Sequence, residues 1–509
     1  MKHLIRTIIW FVVAVYAIVF IVPKIPWVQK TIAEKTQTLL SEKLGTKVSI
    51  GNIDIRFPNR IIIDHVYIYD QAKKELLRTG RMAATIDLLP LLESRYSISA
   101  VQLFGTNVNI YHKADSTLNC QFVIDSLKSK EKSSTPLDLH IKSIIIRNGA
   151  ANFDSIGIKK LSSNIVLDRL TDDSLNVTIK RTSFIDNSGM IVKELNGNIW
   201  ANFTTSNFNI PYWHLKLPSS EINLDRIHIS KNANKKYDFD GSVYFPLLSL
   251  NDFTPVLSSY GLMIPDILQT IKLEGKVNVE KTPTSFQATL NLNSKNTDEI
   301  TISASATSKY NKHDVLLSRF HVKENILSAI NNITKLPNEV LRLGNVEARG
   351  RMTAEGDIMH PTQMTIDADA QASRIGSVDV NGAYKNDYLK LSIKTPNLNL
   401  TEITKKSLGN VICDLNIGAD IIQNGEIYDV RAIKVEGNIP EITIQERTYR
   451  NISLDSKYDR GRIKGLFAIN DPKARTNIDV DALMNKQSIQ IYVPKEGKNG
   501  DKKITVKIA

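Results

Sequence analysis

The sequence predicts a mainly β protein: one N-terminal transmembrane helix and one amphipathic helix, then a long antiparallel β body with a few helical insertions. Three observations carry this. A single uncharged apolar run covers residues 7–22. Nothing after Val22 is apolar for long enough to cross a bilayer again. From Lys47 onward, short segments with a period of two recur between Gly, Asn, Asp and Pro.

The apolar run is the expected membrane anchor, with Ile8, Ile9, Trp10, Phe11, Val12, Val13, Phe20, Ile21 and Val22 as its anchoring residues. As a helix it spans roughly 24 Å at about 1.5 Å per residue, short of a hydrocarbon core of about 30 Å. Leu4 and Ile5 extend it if Arg6 snorkels to the headgroups. Lys2 and Arg6 precede it, which keeps the N-terminus cytoplasmic and exports the body. The alternative is a cleaved signal peptide, although large residues fill the stretch before Pro23 and no small-x-small site closes it.

Next comes Trp27 to Leu44, where Val28, Ile32, Leu39, Leu40 and Leu44 recur at helical spacing among Lys30, Glu34, Lys35 and Glu42. Gly45 ends this helix in the usual C-terminal position. The helix either lies on a membrane, plugs the end of a β structure, or packs on the first strands.

The β body opens with Val48, Ile50, Ile53 and Ile55 and continues through Ile61–Tyr69. Ile300–Ala306, Val378–Ala383, Tyr388–Ile393 and Glu441–Gln445 read as single strands. Ile98–Tyr111 and Ile141–Phe153 read as strand-Gly-strand units. Helical interruptions are expected over Phe253–Thr270 and about His321–Arg342, and polar linkers over Ser126–Pro136 and Lys495–Lys503. Two weak repeats stand out. Ile98, Val101, Leu103, Asn109 and Ile110 recur 43 residues later as Ile141, Ile144, Ile146, Asn152 and Phe153. Leu343-Gly344-Asn345-Val346 recurs 65 residues later as Leu408-Gly409-Asn410-Val411. Unequal periods fit a meander of related strand units rather than a fixed-coil solenoid.

Composition narrows the function classes. Charged residues are 23%, which argues against wholesale disorder. Net charge is +12, but Lys and Arg are interspersed with Asp and Glu and no nucleic-acid motif gathers them. The charge therefore reads as solubility, with mild attraction to anionic lipid surfaces. Cys120 and Cys413 make neither a disulfide framework nor a zinc site. No HExxH, Walker loop, GxSxG or GxGxxG occurs. His65 and His112 fall in or beside strands and read as structural. Asp367 with Asp369, and Asp479 with Asp481, place carboxylate pairs on one strand face. Such a pair suits a cation, and suits a solvated face more simply. The expectation is no enzyme, no catalytic, cofactor or metal residue, and no nucleic-acid partner. The alternating positions are mostly Ile, Leu, Val and Ala. A sheet with one such face must close into a sandwich, accept helices, or curl into a trough suited to acyl chains. Periodicity alone does not choose among these.

The order of segments resembles a known family. Pro26-Trp27-Val28-Gln29, Leu44-Gly45, Val48–Ile53, Ile63–Gln71, Leu76-Leu77, Ile86–Leu92 and Ile98–Ile110 follow one another as in the N-terminal part of AsmA-like proteins, especially the TamB type from Bacteroidetes-like bacteria. Leu343–Gly350 and Lys394–Val411 also resemble the TamB type. The resemblance implies an anchor over 1–25, an amphipathic helix over 26–45, an AsmA-like periplasmic β region over 46–340 and a TamB-like continuation over 341–509. It implies an elongated, twisted, bridge-like (β-taco) antiparallel groove, an inner-membrane single-pass protein with a periplasmic body, and a role in outer-membrane biogenesis by shielding or conducting phospholipid acyl chains. Ile61, Ile63, Val101, Leu103, Ile144 and Ile146 are the candidate groove lining. The alternative is a scaffold, a translocation and assembly factor that docks an outer-membrane assembly protein through exposed strand edges. The distinct C-terminal domain of the longer TamB-type proteins is not recognisable here.

Overall fold

The computed structural model describes residues 6, 10, 25–56, 59–87, 98–127, 138–171, 173–232, 236–334, 338–357, 360–406, 408–424, 427–444, 446–472, 474–484, 488–493 and 502–507. The expected anchor over 7–22 lies, apart from Trp10, outside the described residues. Among the described residues no helix is long and apolar enough to cross a membrane. The chain divides into two compact units, 1–264 and 265–509.

In the first unit α1 (Pro26–Leu44) is followed by β1 (Val48–Arg56), β2 (Arg60–Tyr69), β3 (Glu75–Ile86) and β4 (Ile98–Ile110). Then come α2 (Gln121–Leu127), β5 (Asp138–Phe153), β6 (Ile156–Thr171), β7 (Ser174–Asp186) and β8 (Ile191–Asn202). The unit ends with β9 (Asn207–Lys216), β10 (Glu221–Lys231), β11 (Tyr237–Ser249), a 3-10 turn over Leu250–Phe253 and α3 (Thr254–Ser259). The strands pair in chain order as an open sheet. α1 ends as the sequence predicts, with Gly45 left-handed at φ 63° and its amide on the Glu42 carbonyl.

The sequence predicts an antiparallel body, and one pair departs from it: β4 and β5 run parallel. The partners are Ile98 with Ile141, Val101 with Ile144, Leu103 with Ile146, Asn109 with Asn152 and Ile110 with Phe153. This is the 43-residue repeat. Parallel strands pair at one fixed offset, here 43, so the repeated residues stand side by side across the pair. Asn152 Nδ2 donates to Asn109 Oδ1 at 2.7 Å across it. The two halves expected on either side of Gly105 and Gly149 are continuous strands.

The second unit opens with α4 (Asp266–Thr270), β12 (Lys272–Lys281), β13 (Ser285–Ser294), β14 (Ile300–Lys309) and β15 (Lys312–Val322). After α5 (Glu324–Thr334) and α6 (Asn338–Leu341) come β16 (Val346–Gly356), β17 (Pro361–Ala372), β18 (Gly376–Lys385) and β19 (Tyr388–Asn399). After α7 (Leu400–Thr404) follow β20 (Asn410–Asn424), β21 (Ile427–Ile444), β22 (Arg447–Asp459), β23 (Arg462–Asp471), β24 (Ala474–Met484), β25 (Ser488–Val493) and β26 (Lys502–Lys507). All are antiparallel neighbours in chain order. Both Leu-Gly-Asn-Val copies lead from a short helix into a strand, β16 and β20. The helical interruption begins at Glu324, because His321 still belongs to β15. Ser126 and Leu127, expected in a linker, belong to α2. The strand expected over Glu441–Gln445 is the end of the 18-residue β21, with Gln445 outside the described residues.

Candidate functional site: the apolar sheet faces

Residues paired across neighbouring strands share a face, so the register sorts every side chain. In the first unit one row begins Ile55, Ile61, Ala84, Val101, Ile144 and Ile165. It continues through Ile179, Gly197, Trp213, Leu224 and Val243, and so crosses from β1 to β11. The adjacent row begins Ile53, Ile63, Met82, Leu103 and Ile146. It then passes Ser163, Thr182, Leu195, Leu215 and Ile222. All six residues predicted as lining therefore fall in two adjacent rows of one face. Sequence reading missed Ile165, Ile179, Trp213 and Leu224, whose place follows only from the register of β6 to β10.

A crease interrupts the alternation on the first five strands. Gly51, His65, Gly80, Gly105 and Asn148 stand side by side, and His65, Gly105 and Asn148 have φ of 54°, 61° and 52°. Positions on the inner face step by three there instead of two: Ile50 to Ile53, Ile63 to Val66, and the buried hydroxyl residue Thr79 to Met82. The crease thus keeps the apolar side chains on one face over strands that are longer than a simple alternation would allow. His65 has a backbone role in it, and His112 is tied to Asp154 at 2.7 Å.

Helices cover only the beginning of this face. Ile32, Ala33, Leu40 and Leu44 of α1 pack on Val48, Ile50, Ile53, Ile61, Ile63 and Ile68. The same helix closes the sheet edge. The Ile50 amide donates to Gln37 Oε1 and the Val48 amide to Ser41 Oγ, both at 3.1 Å. Of the three readings of this helix, packing on the first strands is the one observed for residues 26–44. α2 touches α1, and the hairpin before α2 is fastened by a buried polar knot. Tyr111 donates to Asp70 Oδ2 at 2.6 Å, the Lys74 amide donates to Asp70 Oδ1 at 2.8 Å, and Asn119 reaches Asp70 and the Asn109 carbonyl. Burial opposes ionisation of Asp70, but the hydrogen bonds from Tyr111, Lys74, Asn119 and Ala72 outweigh it and hold the carboxyl below its ordinary value. Beyond these helices the row from Val101 to Val243 is half-buried at every side chain. A second packed layer would bury such aliphatic side chains fully.

The second unit repeats the arrangement. One row runs Val277, Leu290, Ala304, Leu317, Gly350 and Ala368. It goes on through Val380, Ile393, Leu415, Gly437 and Leu454, then Phe467 and Ile478, from β12 to β24. These residues are half-buried except Ile478, which is exposed. Cys413 shares this face, and burial, with Asp414 adding to it, pushes its thiol up. Cys120 and Cys413 are both free. Full burial is concentrated along one rim, where Leu268, Leu273, Val322, Ile326, Leu327 and Val411 meet α4, α5 and the start of β20.

The opposite face is polar and salt-bridged. Arg349 donates to Asp369 at 2.6 Å, Arg351 to Asp314 at 2.9 Å, and Arg462 to Asp481 at 2.8 Å. Hydrogen bonds from Arg351 and Arg462 hold Asp314 and Asp481 below the usual carboxylate range. Asp367 accepts from Asn381 at 3.0 Å. Three of the four carboxylates singled out in the sequence, Asp367, Asp369 and Asp481, therefore have their own side-chain partners, and no metal-ligating group of three forms among the described residues. A shallow depression of about 820 Å³ on this face mixes Lys390, Lys394 and Lys434 with Asp367 and Glu436. Its charges largely answer one another, as on any solvated strand face: Lys394 pairs with Asp414, and Lys434 with Glu436.

No protein-family model, curated protein or solved structure matches this chain.

Proposed function

We propose that the protein is a non-enzymatic membrane-anchored envelope protein whose apolar sheet faces shield or conduct phospholipid acyl chains. The carrying observation is a mostly aliphatic face that crosses β1–β11, and another that crosses β12–β24, in single-layered sheets that leave the side chains half-buried beyond the strands α1 covers. Burying a methylene there contributes about 0.8 kcal/mol, so a chain of a dozen or more methylenes is a strong ligand without any polar contact. The uncharged run over 7–22 and the AsmA-like, TamB-type order of segments support an inner-membrane anchor, a periplasmic body and a part in outer-membrane biogenesis. The scaffold alternative needs free strand edges, and α1 already occupies that of β1.

The test is mass spectrometry of lipid extracted from the purified full-length chain. Phospholipid is expected at one or more per chain. Ile144→Asp and Leu290→Asp, on the apolar rows, should lower it. Gln287→Asp, on the exposed polar face of β13, should not. A folded, lipid-free wild-type chain refutes the proposal.

A further inference from the structure

The two rims of the second unit differ. One carries the connections that hold α5, α6 and α7. The other carries the short turns 282–284, 310–311 and 386–387. At this hairpin rim lies a cavity of about 480 Å³. The β12–β13 turn and the β14–β15 turn form it together, and the Tyr310 amide donates to the Thr284 carbonyl between them at 3.3 Å.

The chemistry of the lining changes along the strands. The last row of the apolar face at this rim is Lys281, Phe286 and Ser308. Thr282, Pro283, Thr284, Ser285, Tyr310 and Asn311 complete the cavity, and no carboxylate lines it. Phe286 is 38% and Tyr310 71% exposed, and Lys309 Nζ stands 5.7 Å from the Tyr310 ring centre. One row inward the face is already aliphatic: Val279, Ala288, Ala306 and Val315. A lysine, several hydroxyls and an amide at the mouth, aromatic rings beside them and aliphatic rows behind match the order of groups in a phospholipid. The dimensions match as well. From Phe286 to Leu292 the face runs about 20 Å at about 3.4 Å per residue, against roughly 15 Å for the acyl depth of one leaflet.

We propose that this rim cavity holds the anionic phosphate headgroup of a phospholipid whose acyl chains lie across the sheet toward the helix-bearing rim. Lipid thus engages the second unit from the hairpin side, with Lys281 binding phosphate and Phe286 and Tyr310 flanking the glycerol region. This rests on the acyl-chain reading above and adds a side and a headgroup class to it.

The experiment places photoreactive benzoylphenylalanine in the full-length chain at Tyr310 or at Thr297, at opposite ends of β14. The chain is illuminated with vesicles of phosphatidylglycerol in phosphatidylcholine. Lipid adducts are expected at position 310 and not at 297. Lys281→Glu should lower the 310 adduct about tenfold, the size of one lost charge-assisted hydrogen bond, and Lys281→Gln by less. Equal adducts at both positions, or a 310 adduct indifferent to Lys281→Glu while lipid still copurifies, overturns the headgroup site and leaves the acyl-chain reading standing. A folded chain with no copurifying lipid and no adduct at either position overturns both.

Discussion

Gly197 is the one residue without a side chain in the long row of the first unit, and replacing it with alanine tests how tightly β8 and β9 are apposed. Its φ is 148°, and an added Cβ would meet the Tyr212 carbonyl, the Trp213 ring and, at 2.9 Å, the Trp213 Cα. Backbone atoms of a paired strand cannot swing aside as a side-chain tip can. The backbone conformation alone costs an L-residue about 1–3 kcal/mol, and overpacking adds about 1–3 kcal/mol. Gly197→Ala should therefore destabilise β8–β9 by about 2–6 kcal/mol. Gly105→Ala is the matched control. Its φ is 61°, but nothing lies within 4 Å of the added atom. The strain of about 1–2 kcal/mol there is partly offset by about 0.4–1 kcal/mol from the less flexible unfolded chain. A protein whose strands contact mainly their neighbours opens locally, so the assay is hydrogen exchange read peptide by peptide. Protection should fall by about one and a half to four orders of magnitude over 191–216 for Gly197→Ala, at about 1.4 kcal/mol per tenfold, and by about one order or less over 98–110 for Gly105→Ala. Equal, small losses in both variants would refute the close approach of Trp213 to Gly197 and, with it, the register of the row.

Asp70→Asn should destabilise the β2–β3 turn and the hairpin before α2 by about 1–3 kcal/mol, the cost of disturbing a buried polar group, seen as faster exchange over 111–127. Because the folded carboxyl titrates below its unfolded value of about 3.9, its contribution is complete above that pH. It is lost as pH falls through the folded value, so wild type and Asp70→Asn should converge in acid and diverge toward neutrality. Ser163 and Thr182, buried among aliphatic residues, share a hydrogen bond of 2.5 Å. Ser163→Ala alone should cost about 1–3 kcal/mol by stranding the Thr182 hydroxyl. Adding Thr182→Val should recover part of that, a coupling measured by a double-mutant cycle. Cys413 should react with iodoacetamide more slowly than an unhindered thiol at neutral pH, with its rate still rising at pH above the ordinary thiol range of about 8.5, since burial raises its thiol. Loaded lipid should slow it further if the acyl chains lie on its face.

Much of the fold was legible because a sheet face is written into a strand with a period of two. The helix over 26–44, its stop at Gly45 and the β body all follow from local pattern. That the six candidate residues share one face was legible as well, for four of them repeat at the 43-residue offset at which β4 and β5 pair, and Ile61 and Ile63 lie two apart on β2. Ile165, Ile179 and Trp213 were not. Ile179 stands three residues from Thr182 on the same face because β7 holds an extra residue there against both β6 and β8, and Ile165 and Trp213 are placed only by the irregular registers of β5–β6 and β8–β9. The rim cavity was illegible for another reason. Lys281 and Phe286 meet Ser308 and Tyr310 only because two hairpins lie side by side, a fact of pairing that neither hairpin carries alone.

The crease and the rim helices solve one problem in two ways. A wide sheet with one apolar face gains by covering that face, and the usual covers are a second sheet or a helix layer. Among the described residues α1 covers the first strands of one unit, and α4 and α5 bury apolar side chains at one rim of the other. What remains is apolar, continuous and half-exposed over most of each sheet. Left unfilled, a patch of that extent would invite association with any apolar surface. The opposite face shows that the chain can supply charge where exposure demands it, since Arg349, Arg351 and Arg462 each meet a carboxylate there. In the second unit aliphatic residues keep to one face from β12 to β24 beside that polar reverse side, and in the first unit the reverse face mixes Ile62, Ala83 and Ile145 with Asp64, Arg81 and Gln102, so the second unit is where the proposed acyl-chain ligand is tested most sharply.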